Sequence, residues 1–307
     1  MIEVKKNMDQ MHEAAEAGMA AEARDPAGRK LNIMIVNDDG ITSRGLRELV
    51  DALRPRANIY VCAPDGQRSG ASQSLTLTDP IRVYDFDYPG AEAAYAVTGT
   101  PTDCTKVGLQ FYRERGIEMD MVYSGINIGS NFGKDTLYSG TIGAAMEAAL
   151  SNVRAVAVSV DSHNATHFEV ACEMALSVID KSMNELTPDT ILNINAPDLP
   201  PEEVKGIRYT ALGNRFYIDK FIPVESEEGD SYMLDGAPID LNDIEEKYDV
   251  TATWDNYVSI TPLQFDYTAH DKISQIAGWG LRLSAREGFD DENAGDSDEV
   301  SHTRLPE

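Results

Sequence analysis

The chain has 307 residues, 42% of them hydrophobic, which is enough for one large α/β domain or one domain with an appendage. Its 52 acidic residues against 26 basic ones give a formal net charge of -26, so the basic footprint that a nucleic-acid polymer requires is missing. No apolar stretch is long enough to span a membrane, and neither a membrane nor a nucleic acid is expected as partner.

Residues 1–30 are rich in Met, Ala and Glu and lack the cationic start and apolar middle of a signal peptide. They read as an extension, with room for a short helix and no assigned function. The first core element is Leu31-Asn-Ile-Met-Ile-Val-Asn-Asp-Asp-Gly-Ile-Thr42. An apolar, β-branched run ends in two adjacent carboxylates and a glycine, which reads as a buried strand delivering Asp38 and Asp39 to the carboxyl edge of a sheet. Gly40 lets the backbone turn into the next helix. Neighbouring carboxylates repel unless a proton or cation lies between them, and a hard divalent metal suits oxygen ligands. Asp-Asp-Gly is also ordinary turn chemistry, so this segment alone leaves both readings open.

Leu46, Leu49, Val50 and Leu53 then repeat at helical spacing, and Pro55 ends that helix. Ile59–Ala63 is the second strand, closing at Pro64, and makes a right-handed crossover unit with the first. Tyr95–Val97 is a short extended piece. Thr102 or Asp103 is positioned to cap the helix that follows, through Phe111. Met119–Tyr123 is a third core strand, followed by a glycine-rich loop over residues 125–133 that carries Asn127 and Asn131. Ser139–Leu150 is a helix of small residues. Ala155–Val160 and Thr190–Asn195 are strands separated by an amphipathic helix, Phe168–Met183. Alternation of strand and helix to residue 196 implies a Rossmann-like, doubly wound, mostly parallel sheet. From 197 to 283 the texture changes to aromatics among turns and charges, with a strand at Val258–Thr261. This part is expected to form an antiparallel β extension closed by a helix, Asp271–Leu283. Residues 284–307 read as an acidic, disordered tail.

Polar loops stand at the ends of three of these strands: Asp38-Asp39, the hydroxyl-rich segment Ala63–Ser74, and the glycine loop. Tyr138-Ser-Gly-Thr141 opens a helix whose free amides and dipole favour a phosphate. Serine and asparagine oxygens can complete a magnesium shell that two carboxylates have begun. His163 and His167 read as solvated loop residues. Arg68 is open to a phosphate clamp or a salt bridge, and Trp254 and Tyr257 to base stacking or packing. Cys62, Cys104 and Cys172 show no zinc spacing and read as free thiols in a reducing compartment, so a cytoplasmic location is expected.

The segments Ile35-Val-Asn-Asp-Asp-Gly-Ile, Ala63-Pro-Asp, Arg68-Ser-Gly-Ala-Ser, Ser74-Leu-Thr-Leu, Gly99-Thr-Pro-Thr-Asp-Cys, Ser124-Gly-Ile-Asn, Tyr138-Ser-Gly-Thr, Leu192-Asn-Ile-Asn and Ser259-Ile-Thr-Pro-Leu follow the order and spacing of one family. From about Leu31 to Leu283 the chain resembles the SurE family of survival proteins acting as 5′/3′-nucleotidases. The resemblance implies a divalent-metal-dependent phosphomonoesterase acting on nucleoside monophosphates, in some members also on short polyphosphate. It implies one Mg²⁺ or Mn²⁺ held by Asp38, Asp39, Ser69 and Asn127, and a homodimer or homotetramer with exchanged C-terminal elements. Gly66-Gln67, Gln73 and Lys134 depart from the family pattern beside the site. In the resulting picture Asn131 and amides at Ser139, Gly140 and Thr141 hold the substrate phosphate, water attacks phosphorus, and Asp39 orients or deprotonates it. The alternatives are a non-catalytic nucleotide-binding regulator and a haloacid-dehalogenase-type phosphatase, whose second aspartate two positions on is absent here. A dinucleotide-dependent oxidoreductase lacks its Gly-x-Gly-x-x-Gly turn.

Overall fold

The computed structural model describes residue 25 and residues 28–225, 229–240 and 247–281. The acidic tail and nearly all of the N-terminal extension lie outside the described residues, as does part of the stretch between Val224 and Asp249. The first strand, β1 (Asn32–Val36), is covered on both faces: Ile33, Met34, Ile35 and Val36 are fully buried, as a central parallel strand requires. It leads into α1 (Arg44–Leu53), capped by Ser43 Oγ, which accepts from the Leu46 amide at 3.4 Å. The Leu46, Leu49, Val50 and Leu53 stripe is entirely buried, each side chain contributing about 1.5–3 kcal/mol.

In chain order there follow β2 (Asn58–Pro64), β3 (Val83–Asp85), β4 (Ala93–Val97), α2 (Pro101–Glu114), β5 (Met121–Ile128) and α3 (Gly140–Leu150). After these come β6 (Arg154–Asp161), α4 (Glu169–Ser177), α5 (Ile179–Glu185), β7 (Thr190–Pro197), β8 (Gly206–Tyr209), β9 (Arg215–Val224), β10 (Ser231–Asp240), α6 (Asp249–Trp254), β11 (Tyr257–Gln264) and α7 (His270–Ala277). One sheet has the order β3-β4-β2-β1-β5-β6-β7-β11-β8, with the six strands from β4 to β7 parallel. α1, α4 and α5 pack on one face, α2 and α3 on the other. The chain winds from β1 out to β2 and then returns across it to β5. The order therefore switches between β1 and β5, where a crevice opens at the carboxyl ends of the strands.

The doubly wound, mostly parallel sheet expected from the sequence is present, with four differences in detail. Thr100, not Thr102 or Asp103, caps α2. Its Oγ1 accepts from the Asp103 amide at 3.1 Å while Asp103 Oδ2 accepts from the Thr100 amide at 2.9 Å, a reciprocal capping box. β5 runs on through Ile128, into what reads as loop, because Ile126 is buried and Asn127 and Ile128 pair with Ser159 and Val160 of β6 after a register slip. The helix expected over Phe168–Met183 is two, α4 and α5. Ser177 Oγ donates back to the Glu173 carbonyl at 2.8 Å just before the break, a bond that bends helices. In the C-terminal part, β11 joins the main sheet antiparallel to β7, and β8 lies parallel to β11. Among the described residues only β9 and β10 form a separate antiparallel hairpin.

The described residues fall into two compact units, divided between Phe265 and Asp266. The second contains α7, shorter than the expected Asp271–Leu283 and ending before Gly278, with His270 Nε2 2.8 Å from Asp266 Oδ2. Residues 282–283 of that expectation lie outside the described residues. Among the described residues no helix is long and apolar enough to cross a membrane.

Candidate functional site

The turn after β1 is built by a residue whose role the sequence does not announce. Asn37, fully buried, donates from Nδ2 to the Gly40 carbonyl (3.0 Å) and to Ser43 Oγ (2.7 Å), and its Oδ1 accepts from the Gly40 amide (3.2 Å). Gly40 has φ +98°, a conformation L side chains avoid. The turn leaves Asp38 on the wall of a cleft of about 880 Å³ at the β1–β5 switch point. Asp39, half-buried beside it, accepts from the Ile128 amide at 3.0 Å.

The helix α3 is aimed at Asp38. Thr141 Oγ1 donates to Asp38 Oδ1 at 2.6 Å, and the Thr141 amide also bonds this carboxylate. The helix terminus adds a favourable dipole. The approach is so close that a Cβ at position 140 would lie 2.9 Å from the Asp38 Cβ, which explains the glycine there. Ser139 caps the helix, its Oγ accepting from the Ile142 amide at 3.1 Å. The loop after β2 is drawn in by its backbone, with the Arg68 amide bonded to the Asp38 carbonyl at 2.7 Å, and this brings Ser69 into the cleft wall. Ser69 Oγ accepts from Gln67 Nε2 at 2.9 Å. Asn127 spends its nitrogen on the Gly129 carbonyl (2.6 Å), leaving its amide oxygen as the atom for a cation.

Burial pushes Asp38 up to about 6, and the neighbouring Asp39 adds to it, against the bonds from Thr141. Burial likewise raises Asp39, against the Ile128 amide. Among the described residues neither carboxylate forms an ion pair with a lysine or arginine, so the charge they carry is uncompensated. Among the described residues no three His, Cys, Asp or Glu side chains gather into a metal cluster. What faces this cleft is instead Asp38, with half-buried Asp39 next to it in the chain, and the neutral oxygens of Ser69 and Asn127. That donor set fits one hard divalent cation and not zinc.

Of the residues predicted from sequence, Asp38, Ser69, Asn127, Asn131 and Ser139 reach the cleft wall, while Asp39, Gly140 and Thr141 are not part of it. Thr141 is committed to Asp38, and Asn131 donates from Nδ2 to Ser159 Oγ at 2.8 Å. Arg68 takes the salt-bridge option, with Nη2 2.9 Å from Asp65 Oδ1. His163 sits exposed on the cleft rim, whereas His167 pairs with Asp198 at 3.3 Å. Neither Trp254 nor Tyr257 lines the cleft, and the Tyr257 ring carries the Arg208 guanidinium at 3.9 Å.

The wall that sequence reading missed comes from the β9–β10 hairpin. Arg215, Tyr217, Asp219, Leu234 and Gly236 close one side of the cleft. Tyr217 Oη donates to Asp135 Oδ2 at 2.6 Å and Arg215 Nη1 lies 3.4 Å from the same oxygen, tying the hairpin to the short 3-10 turn Gly133–Leu137. The aromatic and basic run at Arg215–Tyr217 is the only local signal of this wall.

The family description "Survival protein SurE" matches residues 33–219. The chain is 40% identical over 251 residues to "5′-nucleotidase SurE" of Methylococcus capsulatus, covering 81% of this chain and 97% of the relative. It is 42% identical over 251 residues to "5′/3′-nucleotidase SurE" of Cronobacter sakazakii, covering 81% and 96%. The crystal structure of SurE protein from Aquifex aeolicus superposes with a TM-score of 0.69 at 34% identity, covering 81% of this chain and 99% of that one.

Proposed function

The chain belongs to the Survival protein SurE family, and from that membership we propose that it is a divalent-metal-dependent 5′/3′-nucleotidase hydrolysing nucleoside monophosphates to nucleoside and phosphate. The observation that carries this reading is the adjacent carboxylates Asp38, buried on the wall of the switch-point cleft, and Asp39, half-buried beside it, neither paired with a lysine or arginine among the described residues. Asp38, Asp39, Ser69 and Asn127 would hold one Mg²⁺ or Mn²⁺, which when bound supplies Lewis acidity and an anchor for a phosphate oxygen.

The chain's own groups supply the rest. Thr141 and the α3 terminus fix Asp38 in one orientation. Ser139 and Asn131 stand on the cleft wall where the remaining phosphate oxygens would lie. Among the described residues neither Ser69 nor Ser139 is hydrogen-bonded to a histidine or carboxylate that would make it a nucleophile, and in this reading water attacks phosphorus directly. Asp39 orients that water and receives its proton. The hairpin side of the cleft is left for the nucleoside. Short polyphosphate fits the same reading, since it presents the same terminal phosphoryl group.

The cytoplasm is the compartment proposed, supported by three free cysteines, two of them buried. The assembly proposed is a homodimer or homotetramer that shares C-terminal elements, supported by an apolar hairpin standing outside the sheet. Phosphate release from 5′-AMP and 3′-AMP with added Mn²⁺ or Mg²⁺ tests the activity. Excess EDTA should abolish release and added metal restore it; full activity in EDTA overturns the metal-dependent reading, and no release with any metal favours a binding-only regulator.

A further inference from the structure

Amide side chains are costly inside a core unless their groups are matched. β7 nevertheless places Asn193 and Asn195 there, both fully buried, and both aim at a single loop residue. Asn195 Oδ1 accepts from the Asn131 backbone amide at 2.8 Å, and its Nδ2 donates to the Asn131 carbonyl at 3.2 Å. Asn193 Nδ2 donates to the same carbonyl at 2.9 Å. Asn131 Nδ2 in turn reaches Ser159 of β6, the register partner of Asn195. One side-chain amide thus takes both backbone groups of a loop residue, as a neighbouring strand would.

The held residue lies between Gly129 (φ +117°) and Gly133 (φ +46°), so this loop has little intrinsic preference and its shape must be imposed from outside. At its ends the Ile128 amide bonds Asp39 and the Gly133 amide bonds Asp249 Oδ2 at 2.8 Å. The middle is held by Asn195, Asn193 and Ser159.

We propose that Asn195 is a positioning residue: its carboxamide clamps the Asn131 peptide and thereby places the loop that carries Asn131, and with it Asn127 at the end of β5 just before that loop, against Asp38 and Asp39. Its kinetic consequences rest on the nucleotidase reading, while the clamp itself does not. Asn195→Asp keeps the shape and the acceptor but turns an oxygen, in place of a donor, toward the Asn131 carbonyl. Amide hydrogen exchange on the metal-free protein should show the Asn131 amide protected like a strand residue. In the variant, exchange over residues 129–133 should accelerate roughly tenfold. The half-saturating Mn²⁺ concentration and the KM for AMP, taken per folded molecule, should rise by about tenfold, the range expected for groups that orient ligands. A stability role alone would lower Tm and leave those two constants in place, and that result overturns the proposal. If the wild type releases no phosphate from AMP, the nucleotidase reading falls and exchange alone decides: unchanged loop exchange in the variant overturns the clamp, and acceleration upholds it. Should the variant fail to fold, the wild-type measurement decides, since an Asn131 amide exchanging as fast as open chain overturns the clamp.

Discussion

Asp38 illustrates how a candidate ligand works against the fold that holds it. In the metal-free protein burial pushes its carboxyl from 3.8 up to about 6, so folding favours the protonated form. Its stabilising share is fully present below pH about 4 and is lost as pH rises through about 6. The span corresponds to about 3 kcal/mol as an upper estimate. Asp38→Asn removes that titration while keeping an oxygen to accept from Thr141. In EDTA, the Tm of Asp38→Asn minus that of the wild type should therefore grow between pH 4 and pH 6 and level off above; a difference independent of pH would show that Asp38 is not desolvated. The same variant, and Asp39→Asn, should lose activity by about 100-fold or more at saturating Mn²⁺, because an oxygen ligand without charge cannot replace a carboxylate on a hard cation. Ser69→Ala should be milder, raising the metal requirement and sparing the rate at high metal. A metal titration of activity unchanged from wild type would remove Ser69 from the ligand set.

At the scale of elements, the legible parts are those where one local rule decides. The Leu46–Leu53 stripe, the contiguous apolar run before Asp38 and the Ser-Gly-Thr cap each follow from a pattern within a few neighbouring residues, and each is where it was expected. Acidic turn and capped helix meet at a sheet edge, so most of the candidate site was also legible. What stayed hidden depends on contacts between distant residues. The side chain of Asp135 meets Tyr217 across 82 positions, and Asn195 meets Asn131 across 64. No periodicity encodes either pair. The first of these joins leads to a prediction about specificity. Asp135→Ala should release the hairpin wall, raising the KM for AMP by several-fold to about tenfold, since a charge-assisted bond is worth about 1.5–3 kcal/mol before relaxation. Hydrolysis of p-nitrophenyl phosphate, which has no nucleoside to place against that wall, should change little. Equal losses on both substrates would mean that the hairpin does not contact the nucleoside.

The whole molecule poses one further question, which is what covers the hairpin. A two-stranded ribbon alone is marginal in water. β9 and β10 nevertheless expose Phe221 at 71%, Met233 at 63% and Leu234 at 62%, more apolar surface than an isolated ribbon can carry without a partner. A chain with net charge -26 also repels copies of itself, so association needs a concentrated apolar contact to overcome that repulsion. The hairpin supplies such a contact, and exchange of a hairpin between identical subunits costs little because contacts of the same kind are remade between chains. The proposed homodimer or homotetramer is therefore expected to use it, with the terminal helix as the second expected contact. Part of the segment to be deleted, residues 226–228 and 241–246, lies outside the described residues, so a point variant accompanies the deletion. Removal of residues 225–247 should give a smaller species by light scattering, and Phe221→Asp combined with Met233→Asp should do the same with the cleft residues left in the chain. A monomeric full-length protein, or an assembly that survives both changes, would show that the hairpin serves only as the wall of its own cleft.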